Sequence, residues 1–132
     1  MTNCSSHSHS EVGYLSVIWR ESQTIPSVRF AVRRVSLAGR IELTRRIREL
    51  TLRYEFLKSG DSADELEASL SEMLVQRLLL EWGLVEITGL TVDGEAGTTQ
   101  ILIEKGPEAL AEEVLVAVRK EIGLSEDERK NS

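Results

Sequence analysis

The chain is poor in the residues that most often carry catalysis or cross-links. Of its 132 residues only Cys4 is a cysteine, so no disulfide can close within the chain, and the composition fits a reducing compartment. The two histidines, His7 and His9, stand near Cys4 in a Ser-rich stretch, which suggests adventitious metal binding at most; no built metal site and no cofactor are expected. Two Trp, two Tyr and two Phe leave the core mainly to Leu, Val and Ile. The longest apolar run, Val114 to Val118, falls far short of the ~20 residues that a membrane helix needs. The first ten residues lack the basic start and apolar stretch of a secretory signal. A cytoplasmic protein with no membrane partner is therefore expected.

Enzyme signatures are missing as well. Gly83, Gly89 and Gly94 are spaced as loop punctuation and do not form a phosphate-binding fingerprint. Glu108, Glu112 and Glu113 read as a solvated face near the start of a helix, where negative charge is favourable. No carboxylate pair stands out for acid–base work, so catalysis is not expected.

What the chain does have is an uneven division of charge. Residues 1–60 hold ten Lys/Arg against five Glu, and residues 61–132 hold six against seventeen Asp/Glu. Eight arginines fall within 29–53. Such a cluster makes nucleic acid the first partner to consider, but a pI near 5.0 for the whole chain argues against a dedicated binder. The apolar fraction of 41% and charged fraction of 29% are those of a globular domain with a substantial core.

The pattern along the chain predicts an α+β fold, an N-terminal β-hairpin packed with a mainly helical, three-helix domain. Residues 1–11 read as a disordered tail, 12–124 as one domain and 125–132 as a flexible tail. Dense apolar residues from Val12 to Trp19 suggest a strand, and Pro26 marks a turn. Val28, Phe30 and Val32 then alternate with Arg29, Ala31 and Arg33, which places the second set on a solvent face. Ser36 is a candidate N-cap for a helix to about Lys58, with Leu43, Ile47, Leu50, Tyr54 and Leu57 as its apolar stripe. Ser62 to Glu65 forms a capping-box pattern for a second helix to about Trp82, whose stripe is Leu66, Leu70, Met73/Leu74 and Leu78, widened by Val75, Leu79 and Trp82. Residues 84–95 read as a short extended segment, either short strands or a loop, with an Asp93-Gly94 turn, and Thr98/Thr99 as caps for a brief helical turn. Pro107 opens the last helix at its first position; Leu110, Val114, Val118 and Ile122 form its stripe, and Gly123 ends it.

Helical projection gives the arginine segment its meaning. Arg45, Arg48, Leu52 and Phe56 fall about 140–220° around the helix from Leu43, opposite the main stripe. A solvated face would not ordinarily carry both Leu and Phe. Either this helix is sandwiched between two layers, or it presents an apolar strip with arginines to a partner. Interleaved Glu42, Glu49 and Glu55 disfavour nucleic acid, and the acidic helices that follow are expected to answer much of the arginine charge.

Glu81-Trp82-Gly83-Leu84, then Val92-Asp93-Gly94-Glu95, a short polar link and a final amphipathic helix together resemble the tail assembly chaperones of tailed bacteriophages and prophages. The resemblance covers roughly residues 28–131. It implies a non-enzymatic protein of the bacterial host cytoplasm that binds and solubilises the tape measure protein and helps tail-tube subunits assemble around it. It also implies a longer product made by a −1 frameshift: Arg129-Lys130-Asn131 can be encoded by a slippery heptamer, and the capping pattern at Ser125 to Glu128 has almost no helix behind it. Arg45, Arg48, Leu52 and Phe56 are then the candidate client-binding residues. The alternatives are a structural minor tail or tail-completion protein, and a small nucleic-acid-binding regulator that uses the Arg-rich segment 29–53.

Overall fold

The computed structural model describes residues 11–55 and 62–123. The predicted N-terminal tail with Cys4, His7 and His9, the predicted continuation of the first long helix to Lys58, and the predicted C-terminal tail lie outside these residues. Strands β1 (Val17–Glu21) and β2 (Arg29–Arg33) form the expected hairpin, followed by helices α1 (Leu37–Glu55) and α2 (Ser62–Gly83). The chain returns to the sheet as β3 (Leu84–Thr88), makes a small hairpin from β4 (Thr91–Val92) and β5 (Glu95–Ala96), and ends in α3 (Thr99–Lys105) and α4 (Glu108–Ile122). The architecture is α+β, with a three-stranded antiparallel sheet in the order β1-β2-β3.

Central β2 places Phe30 and Val32 in the core, where they cluster with Leu110, Val114, Val118 and Ile122, the whole predicted stripe of α4. All six are at most 1% exposed. The outward set behaves differently from its pattern. Arg29 and Arg33 are exposed, but Ala31 is buried: this small residue pairs with Trp19 of β1 on one side and Glu86 of β3 on the other.

Of the short strands or extended loop expected here, the strands form, and the first of them, residues 84–88, joins the sheet. Val32 pairs with Leu84 and Ala31 with Glu86, so Val85 is an extra residue in a β-bulge. That extra residue lets Leu84 and Ile87, three apart, both enter the core, while Val85 is exposed. Farther on, Asp93 and Gly94 both have positive φ, 52° and 83°, as a two-residue hairpin loop requires.

The caps follow the sequence signals closely. Ser36 Oγ accepts from Gly39 N at 3.0 Å, and Thr98 Oγ1 accepts from Ile101 N at 3.1 Å. Gly123, in the left-handed region, donates to the carbonyls of Arg119 and Lys120. Pro107 is shifted by one position: its extended ψ of 128° makes it the N-cap, with Glu108 as the first helical residue.

Two expectations fail for reasons of length. β1 begins at Val17 rather than Val12, because its partner β2 ends at Arg33 and the chain turns into α1; Val12, Tyr14 and Leu15 are left exposed. In α2, Leu78, Leu79, Leu80 and Trp82 are buried, but Leu66, Leu70 and Met73 of the same predicted stripe are exposed. The helix spans about 33 Å and overruns the sheet and α4 beneath its C-terminal half.

Gly83 joins α2 to β3 at a close approach. A Cβ there would lie 2.6 Å from Val118 Cγ1, backed by the buried α4. Gly83→Ala is expected to destabilise the protein by about 1–3 kcal/mol through overpacking, read as a lower urea midpoint at unchanged m-value.

Candidate interaction surface

Helix α1 has two apolar faces. The inner one carries Leu43, buried, with Ile47 and Leu50 half-buried over the core, as the periodicity predicts. The outer one carries Leu37, Ile41, Arg45, Arg48 and Leu52, which recur at three- and four-residue steps and so share a stripe. Leu37, Ile41 and Leu52 are 79%, 52% and 40% exposed. Leu37, Ile41, Thr44, Arg45 and Arg48 line one shallow depression. The structure thus brings Arg45, Arg48 and Leu52 to one open face, and no second layer covers them among the described residues. Phe56, the fourth predicted site residue, lies outside the described residues. Leu37 and Ile41 were missed because the projection began at Leu43; the i, i+4 steps from Leu37 to Arg45 were the available signal.

Among the described residues the acidic helices form no ion pair with the arginines of 29–53. Two ion pairs occur among the described residues, Arg20–Glu121 at 3.4 Å and Arg77–Glu81 at 3.3 Å, and neither includes an arginine of 29–53. Four of the eight, Arg29, Arg33, Arg34 and Arg40, meet rings or carbonyls instead. Arg33 lies 5.2 Å from the Trp82 ring centroid and donates from Nε to the Trp82 carbonyl at 2.8 Å. Arg40 donates to the carbonyl of Ile122 at 3.1 Å, placing a cation at the C-terminus of α4, where the helix dipole favours it. Arg29 covers Trp19 and Arg34 covers Tyr14, at 5.1 and 5.3 Å. Carbonyls and aromatic faces carry no compensating negative charge, so these contacts leave the four cations unneutralised.

Of the three glutamates read as a solvated face, Glu108 and Glu112 are exposed but Glu113 is engaged. Its carboxylate accepts from Ser22 Oγ and Gln23 N, both at 2.6 Å, and more distantly from Thr24 N, thereby bracing the β1–β2 turn against α4. Ser22, the buried partner, also accepts from Ile25 N. Burial disfavours ionised Glu113, but the donated hydrogen bonds outweigh it and hold the group below the ordinary carboxylate value of 4.5. No cluster of His, Cys, Asp and Glu suited to a metal ion occurs among the described residues.

No family model, no curated protein and no solved structure matches this chain.

The depressed Glu113 pKa fixes a sign. A carboxylate whose pKa is lower folded than unfolded contributes stability that is full above the unfolded value and is lost as pH falls through the folded one. Glu113→Gln is expected to lower stability by about 1 kcal/mol at pH 7 through weaker hydrogen bonds. The gap in melting temperature between wild type and variant should narrow as the pH falls below 4.5.

Proposed function

We propose that this chain is a non-enzymatic chaperone that uses the outer face of α1 to cover an apolar helical segment of a client protein. The observation that carries the reading is the uncovered stripe of Leu37, Ile41 and Leu52, with Arg45 and Arg48 set among them. Apolar groups exposed in a row along a helix seek a partner surface, and arginine joins such contacts through both its planar head and its aliphatic stem. The resemblance at Glu81–Leu84 and Val92–Glu95 makes the tape measure protein of a tailed phage or prophage the client, with tail-tube protein as a further partner, in the cytoplasm of a bacterial host. The net charge of −6 keeps a protein with such a stripe in solution.

Co-expression of the client with Leu52→Asp/Phe56→Asp is expected to leave the client insoluble and to reduce co-purification at least about tenfold, since two buried apolar contacts become charged. Unchanged co-purification with a variant that keeps its wild-type circular dichroism would remove the stripe from the function.

A second reading, a nucleic-acid-binding regulator, is favoured by one observation: the arginines of 29–53 make no ion pair among the described residues, and Trp19 and Tyr14 stand exposed beside Arg29 and Arg34. Salt separates the two. Binding to a labelled oligonucleotide should fall steeply as salt is raised if several phosphates are held, whereas capture of an apolar client should change little.

A further inference from the structure

Helix α2 carries an apolar track of its own. Leu66, Leu70 and Met73 are 74%, 40% and 56% exposed and share one helix face. The face continues to Arg77 and Leu80, where α2 borders a groove with Leu80, Leu102 and Leu115 in its lining and Glu108 and Glu112 of α4 at its side. From Leu66 to Leu80 the track is about 21 Å long.

The outer stripe of α1, from Leu37 to Leu52, is about 22 Å long, so the two match in length. They are also complementary in charge. The α1 stripe sets Arg45 and Arg48 among apolar residues, while the α2 track runs past Arg77, which is paired with Glu81, to Glu108 and Glu112 in the groove lining. Within one chain they cannot meet, because Leu43 and Ile47 on the opposite side of α1 hold that helix to the core.

We infer that the α1 stripe of one copy docks along the α2 track and groove of a second copy. In a two-fold pair this contact is made twice, which doubles the apolar surface removed from water and pairs both sets of charges. The contact is of the helix-in-groove kind, with apolar anchors at three- and four-residue steps and charges at the rim setting the register. It goes beyond the client reading and does not depend on it, although both draw on α1.

The test needs only the full chain and no client, so its outcome is separate from that of the proposed function. Light scattering coupled to size exclusion, over a wide concentration range, is expected to show wild-type mass rising from one chain to two or more. Glu108→Arg/Glu112→Arg and Arg45→Glu/Arg48→Glu, all at exposed positions, should each stay at one chain under the same conditions. An equimolar mixture of the two variants should associate again, because each now offers the other a matched stripe and groove. Leu70→Asp, which leaves every charge pair intact, should also weaken association at least tenfold. A wild type that stays at one chain, charge variants that associate like wild type, or a mixture that remains apart would each overturn the inference; circular dichroism shows that the variants retain their helices.

Discussion

The fold depends on the seam between α4 and the central strand. Leu110, Val114, Val118 and Ile122 occur at four-residue intervals and meet Phe30 and Val32 from the inner face of β2 in one core cluster. The end of α2 and the β1–β2 hairpin are placed by reference to this seam. Val118 sets how closely the end of α2 can approach, so Gly83 stands where any side chain would collide. Glu113, one residue before Val114, reaches the β1–β2 turn, and Glu121, one residue before Ile122, reaches Arg20. Hydrophobic burial supplies the stability of the seam, and these polar links fix its register.

Two arginines extend the same organisation outward. Arg33 closes over Trp82 at the end of α2, and Arg40 binds the last carbonyl of α4, so β2 and α1 are each tied to a helix terminus. Both contacts are made to backbone oxygen and not to a carboxylate. In a chain of net charge −6, the outer face of α1 still sets Arg45 and Arg48 among exposed apolar residues. The carboxylates of the second half lie mainly on α2, α4 and the β-turns. The division of charge in the sequence thus becomes a division between elements of the folded molecule, with arginines concentrated on β2 and α1 and carboxylates on α2 and α4.

Much of the fold was legible because local signals agreed with the final packing. Ser36, Thr98 and Gly123 cap as their types suggest, Asp93-Gly94 makes the expected turn, and the α4 stripe is buried at all four positions. The candidate site was half legible. Projection put Arg45, Arg48 and Leu52 on one stripe, but periodicity could not tell a stripe that faces a second layer from one that faces solvent. For the same reason Leu66, Leu70 and Met73 were read as core: an apolar repeat reports which residues share a face, and carries nothing about what lies opposite. The role of Glu113 was hidden too, since its partners Ser22 and Gln23 lie some ninety residues away.

By itself the sequence determined the hairpin and the helices, most of their caps and the inward faces of β2 and α4, because backbone hydrogen bonding and side-chain period act over a few residues. Only the tertiary structure decided that residues 84–88 complete the sheet through a bulge and that the long helix α2 outruns its support. It alone decided that Arg29, Arg33, Arg34 and Arg40 meet rings or carbonyls in place of carboxylates. Those outcomes turn on which distant surfaces come into contact and where the core ends, and long-range packing settles both.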